Sequence, residues 1–323
     1  MTQLTLERYQ VWIYLVAIAI AIAVGLGLGM AAPDLAPLLD TLLWPVLALL
    51  LFTTFVQVPL WHLPAAFRDH RLIAAVLIGN FVLVPLLVVA MLPWLPADPA
   101  LRLGVVLVLL VPCTDWFITF TRLGGGDTLK AITVTPINLL AQLLLLPVYL
   151  WLFFGTGAGL ELQPGDLLPA LFGLILLPLA VAALTQRRLE GRPEQTSLQN
   201  RLAWWPVPLL ALVVGMIAAA QVTVVWAALP VLAQVFQVYL GFLLAAALLA
   251  RLLARLFKLP VASGRTLAFS LGTRNSFVVL PLAVALPAGW ETTVVVIVFQ
   301  SLVELFGMVF YLWWIPHKLF VQK

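Results

Sequence analysis

The segments VPCTD at residues 111–115 and SLGTRNS at residues 270–276 each interrupt a long apolar run with polar or helix-breaking residues. The chain of 323 residues is 64% hydrophobic and only 9% charged, whereas a soluble domain is about half apolar and about a quarter charged. Apolar runs of about 20 residues recur along it, long enough to cross a bilayer core of about 30 Å as helices. The sequence therefore predicts an all-α membrane protein and excludes a water-soluble fold.

Ten apolar runs are predicted to span the membrane. Of the 17 Lys and Arg residues, all but Arg102 and Arg274 fall in segments that this count places on one side. Because Lys and Arg near span ends stay mainly in the cytoplasm, we predict a protein of the cell (inner or plasma) membrane with both chain ends cytoplasmic. The predicted spans are 11–30, 39–57, 71–92, 100–121, 128–154, 167–186, 203–225, 229–250, 264–286 and 292–315.

The polar segment at 185–201 is interpreted as the boundary between two halves of five spans. An odd number of spans reverses the orientation of the second half, which predicts two inverted five-helix repeats. The interruptions fall in spans four and nine, with Pro112 and Gly272 as break residues, and we expect these broken helices to cross. The predicted ranges are 1–186 for the first repeat, 187–202 for a cytoplasmic linker and 203–323 for the remainder of the second repeat, which begins near 167, all in a single membrane transport unit.

Three charged side chains lie inside predicted spans and away from the span ends: Asp115, Arg274 and Glu304. Each would cost about 2.5 to 3.5 kcal/mol at a helix centre, so we expect them to face the protein interior or a water-filled path. The functional interpretation makes Glu304 the proton-exchanging carboxyl group. In the structural alternative, Arg274 pairs with Asp115 or Glu304 only to hold the two repeats together.

Cys113, the single cysteine, lies at the break in span four. A lone buried cysteine usually behaves as a small hydrophobic residue. Beside an unwound backbone and Arg274, however, it could supply a soft sulfur ligand. Polar pairs four residues apart share one helical face in spans five and ten. These pairs are Asn138 with Gln142 and Gln300 with Glu304, and the further hydrogen-bonding candidates are Asn80, Thr135, Ser270, Thr273, Asn275 and Ser276.

Enzymatic, metal-dependent and nucleic-acid-binding functions have no support in the sequence. His62, His70 and His317 fall in loops or at span ends, and no HExxH or paired aspartate motif occurs. The net charge of +4 follows from the orientation signal, and no basic stripe carries interleaved aromatic residues. We therefore predict no catalytic residue, no metal site, no cofactor and no nucleic-acid partner. The expected partners are a small-molecule or metalloid substrate, the lipid bilayer and a coupling proton, with the oligomeric state open.

The segments PCTDWFITFTRLGGGD at 112–127 and SLGTRNSFVVLPLAVALP at 270–287 resemble the paired broken helices of the bile acid/sodium symporter superfamily. The arsenite permease branch fits best, because its span-four cysteine, Gly-Asp pair, span-five Asn and Gln and span-ten Leu-Val-Glu all have counterparts. The resemblance implies a panel domain and a core domain, alternating access between them, and export of arsenite or antimonite. The matching residues are Cys113, Gly126, Asp127, Asn138, Gln142, Leu302, Val303 and Glu304.

The sodium-coupled branch of the superfamily differs from this sequence at its ion ligands. Its span-four Ser-Asn pair falls at Phe117 and Ile118, which cannot coordinate a hard cation. One span-five ligand is replaced by Ala131, whereas Thr135 remains. The span-nine pattern Glu-x-Gly-x-Gln-Asn is SLGTRN at 270–275, with serine for glutamate and arginine for glutamine. Our hypothesis is that the fixed charge of Arg274 takes the electrostatic place of sodium and that a proton is the coupling ion.

The sequence thus predicts a secondary active transporter that exports arsenite or antimonite by proton antiport. Cys113 is the predicted soft ligand, Arg274 the fixed charge and Glu304 the proton carrier. One alternative is a sodium- or proton-coupled transporter of an organic anion, such as a bile acid-like or carboxylate solute, which Arg274 would bind. Another is a non-transporting membrane sensor or scaffold. The remaining predicted site residues are Asp115, Asn138, Gln142, Asn275 and Gln300.

Overall fold

The computed structural model describes residues 35–58, 69–114, 116–154, 171–190, 193–220 and 222–321, together with Val16 and Ile20. Every regular element in these ranges is a helix, which confirms the all-α class. The α-helices are α1 (Leu35–Gln57), α2 (His70–Ile78), α3 (Val84–Met91), α4 (Pro99–Leu110), α5 (Trp116–Leu123), α6 (Thr128–Phe154), α7 (Leu177–Leu189), α8 (Pro193–Leu202), α9 (Pro206–Ala220), α10 (Val222–Leu256), α11 (Val261–Gly272), α12 (Ser276–Val284) and α13 (Glu291–Trp314). In the same ranges Gly79–Leu83, Leu171–Leu176 and Ile315–Leu319 are π-helical and Leu92–Trp94 is a 3-10 turn.

Five helical stretches in the described part of the chain are long and apolar enough to cross a bilayer. They confirm a multi-pass membrane protein. The helices Thr41–Gln57 and Pro99–Leu110 are apolar but shorter, and the predicted span at 11–30 lies outside the described residues except for Val16 and Ile20. The count of ten spans and the inverted repeat therefore stay predictions. The five stretches are His70–Trp94, Thr128–Leu152, Thr196–Ile217, Ala228–Leu256 and Glu291–Leu319.

Some helix boundaries differ from the predicted ones. The segment predicted as a linker contains the polar helix α8, which begins with Pro193, a residue that suits the first helical position. Helix α10 begins at Val222, ahead of the predicted start at 229. The start was placed too late because the segment VTVVWAALP contains no charged residue that would mark a helix boundary. The polar segment 185–201 also follows six predicted spans, so a division into five and five falls near residue 167 and not within that segment.

The described residues fall into two compact units. The first comprises those within Met1–Gln57, Leu162–Pro230 and Leu280–Val298. In this unit α1 packs against α7 and α9, and the side chain of Gln186 donates a hydrogen bond of 2.9 Å to the carbonyl oxygen of Val56. The second comprises those within Val58–Glu161, Val231–Val279 and Phe299–Lys323, and it contains both interrupted segments.

The interruption after α4 begins directly before a proline. Helix α4 ends at Leu110 and α5 begins at Trp116. Val111 is extended, with φ −105° and ψ 108°, because the ring of Pro112 disfavours the helical conformation for the residue before it. The interruption after α11 follows Gly272, and there Thr273 is likewise extended, with φ −98° and ψ 140°. Both breaks therefore leave main-chain groups outside the helical hydrogen-bond pattern.

The two interruptions provide hydrogen-bond partners for each other. The amide nitrogen of Cys113 donates to the carbonyl oxygen of Thr273 over 3.1 Å, and that of Asn275 donates to the carbonyl oxygen of Val111 over 2.8 Å. The pairing is antiparallel. An unpaired backbone group in a membrane interior costs several kcal/mol, so broken helices persist only where such groups are satisfied. The breaks predicted in spans four and nine thus meet at one point of the second unit.

Candidate functional site

A small cavity lies beside the paired interruptions, within the second unit. The space amounts to about 220 Å³ only when the open region at its mouth is counted, and its enclosed part has room for about one water molecule. Three residues predicted for the solute site line it: Cys113 from the first break, Arg274 from the second and Glu304 from α13. Their convergence places a thiol, a buried cation and a carboxyl group around one space. The other lining residues are Trp116, Ser276, Phe277 and Ser301.

Glu304 is held by one oxygen of its carboxylate. Its Oε2 accepts hydrogen bonds from the backbone nitrogen of Arg274 (2.8 Å) and from Nε2 of Gln300 (2.7 Å). Its Oε1 has no hydrogen-bond partner among the described residues, although the side chain is only 2% exposed. Buried polar atoms are nearly always paired. The second oxygen is therefore available for a proton or for a hydroxyl group of a solute.

Two serines and a glutamine extend this polar wall. Gln300 accepts at Oε1 from the hydroxyl group of Ser276 over 3.2 Å, and the hydroxyl group of Ser301 donates to that of Ser276 over 2.8 Å. Gln300, a predicted site residue, is buried behind the cavity and orients both Ser276 and Glu304. The polar groups are thus linked in one chain of hydrogen bonds from Ser301 to Glu304.

Among the described residues, the terminal nitrogens of the Arg274 guanidinium group donate only to uncharged oxygens, and its Nε has no partner. Its Nη1 donates to the carbonyl oxygen of Leu109 (3.1 Å), and its Nη2 donates to Oδ1 of Asn80 (2.8 Å). Nη2 also donates to the carbonyl oxygens of Ser270 (3.0 Å) and Leu271 (2.8 Å). No side-chain ion pair joins Arg274 to Glu304 among the described residues. For Glu304, the contact with Arg274 is a hydrogen bond from the Arg274 backbone nitrogen; the pairing with Asp115 that was also considered from the sequence lies outside the described residues.

Aromatic side chains form the apolar wall of the cavity. The ring centroids of Trp116 and Phe277 lie 5.4 Å apart at an interplanar angle of 85°. Such edge-to-face pairs add to the stabilisation that burial provides. Cys113 is only 2% exposed, so its thiol reaches this space without facing bulk solvent. Trp116 and Phe277 were not predicted for the site, because aromatic residues in apolar segments carry no distinguishing signal.

Other predicted residues lie at the breaks but do not line the cavity. Asn275 donates from Nδ2 to the hydroxyl oxygen of Thr114 (3.2 Å) and accepts at Oδ1 from the backbone nitrogen of Val278 (3.2 Å). It therefore caps the start of α12 and joins the two interruptions. Gly272 lies against Tyr311, where an added Cβ would come within 2.5 Å of the ring. Asp115 lies outside the described residues.

Asn138 and Gln142 belong to a separate polar cluster on α6. Asn138 donates from Nδ2 to the hydroxyl oxygen of Ser270 over 3.4 Å, and Asn80 donates to the same oxygen over 3.1 Å. Both amide atoms of Gln142 and the Oδ1 of Asn138 lack partners among the described residues, and both side chains are buried. Neither residue lines the cavity. The spacing of four residues predicted one shared face, and hydrogen bonds through Ser270, Asn80 and Arg274 connect this cluster to the cavity.

Comparison with known proteins identifies a family whose sequences are similar to more than half of this chain. The model of the sodium bile acid symporter family matches residues 44–228, more than half of the chain. Two rice proteins, from Oryza sativa subsp. indica and subsp. japonica, are each described as "Probable sodium/metabolite cotransporter BASS4, chloroplastic" and are 30% identical to the chain over 74 residues. That match covers 23% of this chain and 18% of each rice protein. The chain thus spans less than a fifth of the length of these relatives.

The matched range contains the first interruption but not the second. Cys113, Asn138 and Gln142 lie within residues 44–228, whereas Arg274 and Glu304 lie beyond them. The family description therefore gives no information on the two charged residues of the cavity.

Proposed function

The chain belongs to the sodium bile acid symporter family, and from this premise we propose that it is a secondary active transporter that exports arsenite or antimonite in exchange for protons. Members of this family are transporters and not enzymes, and their solutes are small molecules. The chain is accordingly a membrane transporter by family. The choice of solute and coupling ion is our proposal, as are the cell membrane location and the cytoplasmic position of both chain ends.

The observation that supports the solute is the meeting of Cys113 with Glu304 in one cavity. Arsenite near neutral pH is an uncharged trihydroxide whose trivalent arsenic binds sulfur, and soft thiolate ligands suit soft centres of this kind. The thiol of Cys113 would contact the arsenic, while Oε1 of Glu304 and the hydroxyl groups of Ser276 and Ser301 would bind its hydroxyl groups. The small volume of the cavity favours a solute of a few heavy atoms over a sterol-sized one.

Proton exchange is assigned to Glu304. Its carboxylate is held through Oε2, so Oε1 can take up a proton without losing the contacts to Arg274 and Gln300. Ionisable groups inside membrane proteins commonly lie on proton paths. A protonated carboxyl group and a bound solute would compete for the same oxygen, which is the requirement for exchange of one for the other.

A second candidate is the uptake of an organic anion with sodium, as the names of the rice relatives state for those proteins. In that function Arg274 would bind the carboxylate of the solute. Both terminal nitrogens of its guanidinium group already donate to oxygens of the protein. Its Nε has no partner among the described residues. An anionic solute at that nitrogen would also meet the carboxyl group of Glu304 in the same cavity, and this repulsion favours the uncharged solute.

The test is arsenite accumulation in everted membrane vesicles, with and without an acid-inside pH gradient. Cys113→Ser is expected to lower the rate by at least about tenfold, because a hydroxyl group does not replace sulfur as a ligand of trivalent arsenic; that factor corresponds to about 1.4 kcal/mol. Thr114→Ser is the matched control, since it changes the next residue of the break, keeps the hydroxyl group that binds Asn275 and leaves the cavity wall unchanged.

Two results would reject this proposal. Vesicles of the wild-type protein that move no arsenite exclude the solute. The second result is sodium-dependent transport of a carboxylate solute at the same rate by the wild type and by Cys113→Ser, while neither protein transports arsenite. It would establish the organic anion function instead.

A further inference from the structure

The guanidinium group of Arg274 lies where two half-helices end. Leu109 is next to the last residue of α4, and Ser270 and Leu271 directly precede the last residue of α11. Their carbonyl oxygens accept from Arg274 at 3.1, 3.0 and 2.8 Å. The last carbonyl groups of a helix lack partners within the helix and form the negative end of its dipole. Two such ends therefore share one positive charge.

Asn80 supplies the fourth oxygen and positions the guanidinium group. Its Oδ1 accepts from Nη2 of Arg274 over 2.8 Å, while its Nδ2 donates to the hydroxyl oxygen of Ser270 over 3.1 Å. The residue lies in the π-helical segment Gly79–Leu83, a kind of local widening that is frequent at functional sites. The ring of Phe242 covers the group from another direction, with its centroid 5.3 Å from Cζ of Arg274. The cation is enclosed on several sides.

Carbonyl and amide oxygens are also the ligands that hard metal cations prefer, and rings of backbone carbonyl groups hold monovalent ions in channels. The oxygens of Leu109, Ser270, Leu271 and Asn80 form such a set, and here a covalently attached cation binds them. An alkali ion at the same oxygens would have to displace a buried guanidinium group that makes four hydrogen bonds. The residues present therefore do not fit a dissociable sodium ion at this place.

We propose that Arg274 is a built-in cation: it permanently neutralises the facing ends of α4 and α11, so that the protein folds and transports without binding sodium. The inference departs from the sodium coupling that the family name suggests. It rests on the proposed transport only for its second measurement, because the first is made on the protein without solute.

The first measurement is the melting temperature of the purified protein in sodium chloride and in choline chloride at equal ionic strength. A ligand that binds the folded protein raises its melting temperature. The wild type is expected to melt at the same temperature in both salts. Arg274→Gln, which replaces the guanidinium group by a neutral amide, is expected to melt several degrees lower in choline and to recover part of the loss in sodium.

Arg265→Gln is the matched control. Arg265 also donates to backbone carbonyl oxygens, those of Phe320 and Gly125, but it is partly exposed. Its replacement is expected to give no difference between the two salts, because water can solvate the oxygens that it leaves. A sodium effect restricted to Arg274→Gln therefore reports on the enclosed oxygen set and not on arginine loss in general.

The second measurement is solute transport by the wild type in proteoliposomes with sodium replaced by choline on both sides, which is expected to leave the rate unchanged. Sodium-dependent melting or transport of the wild type overturns the inference and directs attention to the unpartnered oxygens of Asn138 and Gln142. If Arg274→Gln does not fold, the melting and transport measurements on the wild type still decide whether the protein binds sodium. Failure of arsenite transport alone rejects the proposed solute and leaves the melting result standing.

Discussion

Two cations of the second unit, Arg274 and Lys130, are bound in opposite ways. The Nζ of Lys130 lies 2.6 Å from Oδ2 of Asp69 and 3.9 Å from Oδ2 of Asp127, and it donates to the hydroxyl oxygen of Ser263 over 2.9 Å. Its side chain is 31% exposed. Arg274 is 2% exposed and is surrounded by carbonyl and amide oxygens. The partly hydrated cation has carboxylate partners, whereas the buried one has none through its side chain.

The difference indicates how this unit accommodates charge in an apolar environment. A carboxylate paired with a buried guanidinium group must itself be desolvated, and this cost can exceed the attraction between the two. Carbonyl dipoles at helix ends are already fixed in place and require no second ion. Among the described residues, the guanidinium group of Arg274 thus takes its hydrogen bonds without the carboxyl group of Glu304, whose Oε1 has no partner there. Lys130, beside water, instead serves to hold three helix starts together.

The largest expected effect is on the free energy of unfolding when each of the two cations is removed in turn. Arg274→Met leaves four buried oxygens without this donor, and each buried acceptor left unpaired destabilises a protein by about 1 to 3 kcal/mol. Lys130→Met removes a partly exposed ion pair, for which about 0.2 to 1 kcal/mol is expected. Denaturant unfolding of both variants in the same detergent measures the two values. Equal destabilisation would show that the two environments do not differ as described.

The next largest effect is expected at Glu304, whose Oε1 has no partner among the described residues. Glu304→Gln retains an oxygen that can accept from the backbone of Arg274, so stability should change little. Exchange driven by a pH gradient should fall by at least about tenfold, or about 1.4 kcal/mol in the barrier, because an amide cannot carry a proton. Vesicle transport with and without the gradient measures this. Glu291→Gln, which changes the partly exposed carboxylate at the start of the same helix, is the control and should keep the gradient response.

The smallest expected effect is a pH dependence of the stability that the Lys130–Asp69 ion pair contributes. Burial acts to raise the pKa of Asp69, but the hydrogen bond and charge of Lys130 and the backbone hydrogen bond from Leu72 outweigh it and lower the pKa below the ordinary value of 3.8. A lowered carboxyl pKa stabilises the folded protein above the unfolded-state pKa, and this contribution is lost as the pH falls through the folded-state value.

The stability difference between wild type and Lys130→Met should therefore be constant near neutrality and shrink below about pH 4. Melting curves of both proteins from neutral to acid pH would measure it. A difference that grows on acidification would mean that the pair contributes through packing and not through charge.

The sequence predicted the features that depend on composition and on single residues. Apolar runs gave the helical membrane class, and Pro112 marked the first interruption within one residue. Placing the two breaks in corresponding positions of the halves predicted that Cys113 and Arg274 approach one point, and both residues line the cavity; that they bind solute stays a prediction. The helical membrane class and the first break could be predicted because the cost of placing a polar or helix-breaking residue in a membrane depends on the residue type and not on its partner.

The remaining contacts could not be predicted, since their partners are main-chain atoms or unremarkable side chains. Three of the four acceptors of Arg274 are backbone carbonyl groups, which every residue carries. The position of Lys130 was explained by membrane orientation, yet its contact with Asp69 depends on how α2 and α6 pack. Asn138 and Gln142 share one face as predicted from their spacing, but the neighbour of that face is set by tertiary packing and turned out to be Ser270.

The pairing of the interruptions through backbone atoms has a consequence for evolution. The hydrogen bonds between Cys113 and Thr273 and between Asn275 and Val111 use only amide and carbonyl groups. Substitution of Cys113, which lines the cavity, by any residue other than proline can therefore change what the cavity recognises without removing the contacts that hold the breaks together. A scaffold of this kind lets new solute preferences arise by single codon changes, with the folding requirement met by atoms that mutation does not alter.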